Sequence, residues 1–198
     1  MKIICLGKTY PQNGAPAPTE PTIFLKPDSS PLHKGNPFFL PEFSSRITAE
    51  AELAVRICRL GKYIDARFAH KYYDALTTAI DFTAQDLYDR LSAQGQPIDI
   101  AKGFDGSVAL GHWIEKTDNP AATHTFALHR NGQPAMSGDS ARLHWDIDRL
   151  IATVSRYYTL KIGDVLLTGS PATAFEIAAE DHLTGYLDGR EVLSVRIK

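Results

Sequence analysis

The amino-acid sequence predicts one α/β domain that is rich in β-structure, with a curled mixed sheet and a few short helices. A long stretch with apolar residues at every second position, around residue 50, is typical of a β-strand. Two residue pairs, Asn131-Gly132 and Asp188-Gly189, are typical of tight hairpin turns. Helical segments are few and do not alternate regularly with strands, which disfavours regular βαβ winding. Because 198 residues with 43% apolar content are enough for one core, we expect a single domain over 1–198.

The first 45 residues hold eight of the 12 prolines. Proline has no backbone N–H and a fixed φ, so this region cannot form a long helix. We expect an irregular lead-in with short extended pieces. One of these pieces is Thr22–Lys26, which alternates weakly and stops at Pro27, as a short strand would.

The period-two stretch covers about 47–58 and is the most informative part of the chain. Every odd-numbered position from Ile47 to Ile57 is apolar, and the positions between them include Glu50 and Glu52. Since side chains alternate between the two faces of a strand, a strand here buries its odd-numbered face. It presents Glu50 and Glu52 side by side on the other face.

The next part of the chain predicts a helical stretch over 66–73, followed by a buried strand. The apolar run over 75–80 is the length of a short strand. Asp81 falls at the end of this run, where a strand end can place a carboxylate at the open edge of a sheet.

Two longer helices are predicted further along the chain. Thr83 followed by Asp86 resembles a capping box, with Asp in place of the usual Glu, and this predicts a helix over about 84–93. The second helix, over 145–158, is predicted by one apolar stripe that is formed by Ile147, Leu150, Ile151 and Val154.

Composition excludes several classes of function. The 21 Lys and Arg residues face 23 Asp and Glu residues, and no basic run is present, so nucleic acid is not an expected partner. No apolar stretch approaches the roughly 18 residues that a membrane span needs. The apolar start of the chain ends too early for a secretory signal, and we expect a cytoplasmic protein. Two cysteines, Cys5 and Cys58, indicate reduced thiols instead of a disulfide scaffold or a zinc cluster.

A pair of carboxylates on one strand face is the main chemical feature of the sequence. Glu50 and Glu52 would stand about 6.5 to 7 Å apart, close enough to bind one cation from two sides. Asp81, at the end of a neighbouring strand, is the natural third ligand. A set of carboxylate oxygens selects Mg²⁺ or Mn²⁺, with Ca²⁺ also allowed. The alternative is that Glu50 and Glu52 form the solvated face of an amphipathic strand.

Four segments resemble the fumarylacetoacetate hydrolase family in their order and spacing. They are the stretches 48–55, 81–87, 101–105 and 163–171, with weaker matches at 7–10 and 24–27. The resemblance implies a rolled mixed β-sheet, a homodimer, and Mg²⁺ or Mn²⁺ bound by Glu50, Glu52 and Asp81. It also implies a small 2-oxo or enol acid as substrate, with isomerisation, decarboxylation or C–C hydrolysis passing through a metal-stabilised enolate.

The resemblance also implies roles for other residues. Lys102 matches the family lysine beside the metal and is the candidate catalytic residue; its alternatives are a surface lysine or a salt-bridge partner of a ligand carboxylate. Thr168 is the candidate for binding a substrate carboxylate. Without the resemblance, Thr168 would be interpreted as a turn residue. Gln85 occupies a position on the substrate side where the family has arginine. Lys26 and Tyr10 are further candidates for the cavity wall, and a structural role is equally open for both.

The sequence departs from the family pattern at three places. Hydrolases and decarboxylases of the family have a His and a Glu on a lid helix after the first motif, but residues 11–18 contain neither and are rich in proline. Gln85 replaces an arginine, and the loop after Pro171 has lost a glycine. These departures argue against a hydrolase that activates water with the usual dyad.

Three hypotheses remain. The first is a metal-dependent enzyme of this family, and the second is a catalytically reduced relative that binds a metal and a small acid without turnover. A metal-dependent nuclease is the third, and the acidic charge balance disfavours it.

Overall fold

The computed structural model describes residues 1–11, 16–117, 119 and 122–198. Twelve strands in the described ranges form two sheets. The strands are β1 (Ile3–Gly7), β2 (Thr22–Lys26), β3 (Ile47–Ile57), β4 (Tyr73–Ala84), β5 (Val108–Leu110), β6 (Ile114–Glu115), β7 (Thr125–Arg130), β8 (Gln133–Asp139), β9 (Val165–Leu167), β10 (Phe175–Glu176), β11 (His182–Leu187) and β12 (Arg190–Arg196). The helices are α1 (Ala66–Ala69), α2 (Gln85–Ala93), α3 (Asp99–Lys102) and α4 (Ile147–Tyr157).

The larger sheet has the strand order β2-β1-β9-β3-β4-β5, with β10 added on β3 and β6 on β4. Its pairs are antiparallel except β1 with β9, which is parallel. The smaller sheet, β12-β11-β7-β8, is antiparallel throughout. The mixed, β-rich fold with a few short helices is therefore confirmed.

The main core lies between the two sheets. The odd-numbered side chains of β3 enter it, as predicted, and Leu53 and Val55 are fully buried there. They belong to the same cluster as Phe126, Leu128 and Leu183 of the smaller sheet. Burial of this apolar surface is the main stabilising contribution, at about 25 cal/mol per Å². As a result, β3 is fixed in the middle of the molecule with its even-numbered face turned away from this core.

Both predicted hairpins are confirmed. Asn131 and Gly132 have φ values of 52° and 78°, and they connect β7 to β8. Asp188 and Gly189 have φ values of 48° and 76°, and they connect β11 to β12. Two successive positive φ values are the signature of a type I′ turn, which matches the twist of the strands it joins.

Several predicted boundaries were wrong. The helical stretch over 66–73 is limited to α1, because the chain turns after His70 and already pairs with β3 at Tyr73. The strand expected over 75–80 is the twelve-residue β4, so Asp81 lies inside a strand and not at its end. The helix predicted over 145–158 is shorter in the structure, where it is α4. Its predicted apolar stripe is buried.

The capping box was also wrong. Helix α2 begins at Gln85 with Ala84 as its N-cap, and no side chain caps it. The Asp86 carboxylate accepts hydrogen bonds from the hydroxyls of Ser44 and Ser45, at 2.5 and 2.8 Å, and these bonds tie α2 to the segment before β3. None of the helices in the described ranges is long and apolar enough to span a membrane.

Candidate active site

The pairing of β3 with β4 brings the three predicted carboxylates onto one face of the larger sheet. Glu50 lies directly opposite Asp81, and Glu52 lies opposite Ala79. Residues that oppose each other in an antiparallel pair point to the same face. This face is not solvated, because Glu52 is 3% exposed and Asp81 is completely buried. The alternative of an exposed amphipathic face is therefore wrong.

Asp81 is stable inside β4 because two lysines neutralise it. The Nζ atom of Lys26 lies 2.8 Å from Oδ1 of Asp81, and the Nζ atom of Lys102 lies 3.2 Å from Oδ2. A buried carboxylate without such partners would be strongly destabilising. Burial alone would raise the pKa of Asp81, but the two ammonium groups outweigh it and hold this pKa below its usual range.

Lys102 is the last residue of α3 and reaches into the carboxylate cluster. Its Nζ atom donates to Oε2 of Glu50 at 3.1 Å as well as to Asp81. The same ammonium lies 5.6 Å from the ring centroid of Phe24 and 6.0 Å from that of Tyr88. With only 11% of its side chain exposed, Lys102 is not a surface lysine. It is a salt-bridge partner of two predicted ligands, which places it beside the predicted metal.

Lys26 is fully buried, and its ammonium lies among acceptors of the protein itself. Besides Asp81, these acceptors are the carbonyl oxygens of Phe82, Lys102 and Ser107 and the hydroxyl of Ser107. They belong to β4, to α3 and to the loop that follows α3. These contacts favour the structural alternative, in which Lys26 fixes Asp81 and the end of α3 instead of meeting a substrate.

The loop after β9 holds Glu52 in place. The sequence analysis identified this loop as a family motif but did not predict its contact with Glu52. The backbone N–H of Gly169 donates to Oε2 of Glu52 at 2.6 Å. Gly169 has φ +95°, and a Cβ atom here would lie 2.2 Å from Oγ1 of Thr9. The Thr9 hydroxyl in turn donates to the carbonyl of Thr168 at 2.6 Å. Thr9 and Gly169 are thus positioning residues that the sequence analysis missed, although a Thr-Gly pair after a buried strand was a usable signal.

Two buried hydroxyls near Glu52 lie beside each other and have no hydrogen bond to any other group among the described residues. They are the hydroxyls of Thr168, which is 0% exposed, and of Tyr10, which is 3% exposed. Burial raises the pKa of Tyr10, and the neighbouring Thr168 hydroxyl opposes this shift. If one of these hydroxyls donates to the other, one O–H donor remains without a partner among the described residues.

The carboxylate cluster is one positive charge short. Within the ranges that the structure describes, three carboxylates share two ammonium groups, and one backbone N–H donates to Glu52. Burial and then the negative charges of Asp81 and Glu50 raise the pKa of Glu52 well above its usual range. Burial likewise raises the pKa of Glu50, against the opposing effect of Lys102. The site therefore has a deficit of positive charge that a cation would correct.

A divalent metal fits these residues chemically. All three candidate ligands supply the hard oxygen donors that Mg²⁺ and Mn²⁺ prefer. As the side chains stand, no three acidic, histidine or cysteine side chains within the described ranges are gathered closely enough to hold an ion. Instead, the Lys102 ammonium stands between Glu50 and Asp81. Binding an ion by all three carboxylates requires Lys102 to give up at least one of these contacts, and the ligand set stays a prediction.

Gln85 lies on the same face but is engaged with the protein. Its Oε1 accepts from the Thr48 hydroxyl at 3.1 Å, and its Nε2 donates to Oδ1 of Asp89 at 2.7 Å. Half of the segment 11–18, where the family has its lid residues, is at positions 12–15, which are outside the described residues.

Comparison with known proteins gives consistent results. The family model "Fumarylacetoacetate (FAA) hydrolase C-terminal" matches residues 2–198. Oxaloacetate tautomerase YcgM of Escherichia coli is 32% identical over 198 residues, which cover 96% of this chain and 90% of that protein. The mitochondrial oxaloacetate decarboxylase of Dictyostelium discoideum is 34% identical over 178 residues, which cover 86% and 81%.

A solved structure shares the fold. Fumarylpyruvate hydrolase from Pseudomonas aeruginosa, in complex with Mn²⁺ and pyruvate, superposes with a TM-score of 0.91 at 24% identity, over 100% of this chain and 89% of that one. This likeness confirms the fold. The match of the family model over nearly the whole sequence confirms the predicted resemblance. The chain belongs to the fumarylacetoacetate hydrolase C-terminal family, whose members include enzymes that act on small oxo acids.

Proposed function

We propose that this protein catalyses proton transfer at the carbon next to the keto group of a small 2-oxo acid, as in keto–enol tautomerisation. The observation that carries this proposal is the buried cluster of Glu50, Glu52 and Asp81, which has Lys102 bonded to two of its members. Membership of a family that includes oxaloacetate tautomerases and decarboxylases supports the same substrate class.

The three carboxylates would hold Mg²⁺ or Mn²⁺, as the donor set favours. When bound, such an ion supplies positive charge that stabilises the enolate oxygen as charge develops there. The chain's own contribution is a buried site in which fixed charges act through a low dielectric. Gly169 and Lys26 keep Glu52 and Asp81 in place from opposite sides of the cluster.

The hydroxyls of Thr168 and Tyr10 would bind the carboxylate of the substrate. Both are buried near Glu52 and, apart from each other, lack partners in the described part of the chain, so a carboxylate oxygen would accept the donor that remains. A donor at a fixed place in the site orients the substrate relative to the metal ligands. This orientation places the acidic carbon on a defined side of the site.

Lys102 would carry the proton. Burial alone would lower the pKa of Lys102, but the carboxylates of Asp81, Glu50 and Glu52 raise it well above its usual range. As long as these charges act on it, the group is held as an ammonium and is a poor proton donor. Neutralisation of the same carboxylates by a cation would lower this pKa, so that Lys102 could take the proton of the enol hydroxyl and return it to the neighbouring carbon.

Tautomerisation or isomerisation is favoured over hydrolysis by the sequence itself. Residues 11–18 contain no histidine and no acid, and Glu20, which precedes Pro21, forms an ion pair with Arg156 on the surface. A water-activating dyad of the usual kind is therefore missing from that segment of the sequence. The same gap supports the second candidate, a relative that binds a metal and a small acid without turning it over.

One assay separates the two candidates. With added Mn²⁺, we expect the purified protein to accelerate the loss of the enol absorbance of oxaloacetate or of another small 2-oxo acid. The Glu52→Gln variant should lose this activity by at least 100-fold, whereas Glu191→Gln, an exposed control on β12, should retain it. Uniform inactivity together with tight binding of oxalate would favour the binding protein. Inactivity without oxalate binding would overturn both candidates.

The homodimer and the choice between Mg²⁺ and Mn²⁺ remain predictions. Sedimentation analysis and metal titration of the purified protein would test them.

A further inference from the structure

One edge of β3 is only partly paired. Strand β4 pairs with β3 along its whole length, but on the opposite edge β10 pairs with positions 48–49 and β9 with positions 54–56. Within the ranges that the structure describes, no strand pairs with positions 50–53 on this edge. This gap contains Glu50 and Glu52, the two candidate metal ligands that β3 supplies.

A methionine sulfur lies in the gap. The backbone N–H of Ala51, which stands between the two glutamates, donates to Sδ of Met136 at 3.1 Å. Met136 belongs to β8 of the smaller sheet and is 5% exposed. The sulfur therefore accepts a hydrogen bond that the carbonyl of a neighbouring strand accepts elsewhere in a sheet.

The Ala51 N–H depends on this sulfur. In the stretch 47–53, backbone groups of odd-numbered residues point to the partly paired edge, because the carbonyls of Ile47 and Leu53 accept hydrogen bonds there from the residues that follow β10 and β9. The Ala51 N–H consequently points away from β4 and into the gap. Since Ala51 is 0% exposed, loss of its acceptor would leave a buried donor without a hydrogen bond.

The same sulfur contacts the loop that holds Glu52. The Ser170 hydroxyl lies 3.3 Å from Sδ of Met136 and 3.0 Å from the carbonyl oxygen of Ala172. Ser170 directly follows Gly169, whose N–H donates to the Glu52 carboxylate. Met136 thus meets both segments that place this carboxylate, which are β3 and the loop after β9.

We propose that Met136 is a positioning residue for the candidate metal ligands Glu50 and Glu52. This proposal rests on the proposed function, because it assumes that these carboxylates hold the metal ion. By accepting from Ala51, the sulfur fixes the backbone between the two glutamates. The Met136 side chain itself packs in the main core, on the opposite face of the larger sheet from the carboxylates, so it touches no reacting atom.

Two substitutions separate the sulfur as an acceptor from the shape of the side chain. Leucine is apolar and similar in size, but it offers no acceptor to Ala51. Glutamine is unbranched like methionine, and its Oε1 can accept from Ala51 while its Nε2 donates to the Ser170 hydroxyl. If Met136 only fills space, leucine is the better replacement at this buried position. If Met136 acts as an acceptor, glutamine is the better one.

The first measurement is the hydrogen exchange of the Ala51 amide, followed by NMR in the protein without added metal. We expect exchange to be at least about tenfold faster in Met136→Leu and close to the parent rate in Met136→Gln. The second measurement is the dissociation constant of Mn²⁺ by calorimetry. Binding should be at least about threefold weaker in Met136→Leu and within about twofold of the parent in Met136→Gln. Leu150→Met, a similar exchange in the core at α4, should change neither quantity.

The outcomes separate this proposal from the proposed function. Equal Mn²⁺ affinity in the parent protein and in Met136→Leu, or an equal loss in both variants, would overturn the role of Met136 and leave the proposed function standing. A folded parent protein that binds no Mn²⁺ would overturn the metal site and this proposal together. A melting curve for each variant shows whether it is folded. If Met136→Leu does not fold, norleucine in place of the two methionines of the chain gives the same comparison, because it exchanges sulfur for a methylene group and keeps the shape.

Discussion

Individual buried side chains hold the carboxylate cluster in place, and Lys26 is one of them. Its ammonium touches Asp81 and the carbonyls of three separate segments. The sequence placed Lys26 near the site but could not distinguish a substrate contact from an internal support. That distinction depends on which carbonyl oxygens surround the ammonium, and residues up to 81 positions away in the chain provide them.

Replacing Lys26 with methionine should destabilise the protein severely. The change leaves Asp81 buried with one of its two ion-pair partners removed. Breaking a buried ion pair typically costs about 3–5 kcal/mol. Urea unfolding of Lys26→Met and of Lys34→Met, an exposed control, measures the difference. A loss below about 1 kcal/mol for Lys26→Met would mean that Asp81 does not depend on this lysine.

Gly169 should be sensitive to substitution for two separate reasons. Alanine would be strained at φ +95°, and its Cβ atom would overlap Oγ1 of Thr9. Gly163 is a matched control, because it has φ +85° but no atom within 4 Å of the added Cβ. We expect Gly163→Ala to cost about 1 kcal/mol and Gly169→Ala at least about 2 kcal/mol more, since overpacking adds to the strain. Equal losses in thermal unfolding would show that the contact with Thr9 is unimportant.

The strands differ in how well the sequence predicted them. Strand β3 alternates regularly, so its limits were predicted to within one residue. In β4, the polar residues Asp81 and Thr83 suggested that the strand had already ended. The strand continues because Lys26 and Lys102 neutralise Asp81, and no local pattern contains that information. The limits of α2 were also predicted to within one residue, but its capping box was wrong, since Asp86 binds Ser44 and Ser45 across the fold.

Asp164 lies just before β9, next to the point where β9 pairs with β1. Its carboxylate should make the stability of the fold depend on pH. This carboxylate accepts from the backbone N–H groups of Lys2 and Lys161, each at 2.8 Å, and from the Lys2 ammonium. Burial alone would raise the pKa of Asp164, but these hydrogen bonds outweigh it and hold the pKa below its usual range. A lowered pKa in the folded state stabilises the fold above the unfolded pKa of about 3.9, and this contribution is lost as the pH falls through the folded pKa.

The Asp164→Asn variant isolates this effect. It should be about 2 kcal/mol less stable than the parent protein at pH 7, and the difference should shrink as the pH falls below about 4. Denaturant unfolding at several pH values measures both curves. A difference that stays constant down to pH 3 would show that the charge of Asp164 is not the cause.

The whole molecule combines a core between two sheets with a charged site on the opposite face of the larger sheet. Periodicity and turn signals predicted the fold class, both hairpins and two of the candidate ligands, because those features are local. The roles of Lys26 and Gly169 depend on contacts between distant segments, so the sequence alone did not reveal them. The burial of the acidic face of β3 could not be predicted either, because a strand has the same period-two pattern whether its polar face is exposed or covered.

In the proposed metal site, Glu50, Glu52 and Asp81 together hold one divalent ion. The most direct measurement is a titration of the protein with Mn²⁺, followed by calorimetry and by the electron paramagnetic resonance signal of free Mn²⁺. We expect one Mn²⁺ per chain, affinity weakened at least about tenfold in Glu52→Gln, and unchanged affinity in Glu191→Gln. No binding to the folded protein, or equal affinity in Glu52→Gln, would contradict it.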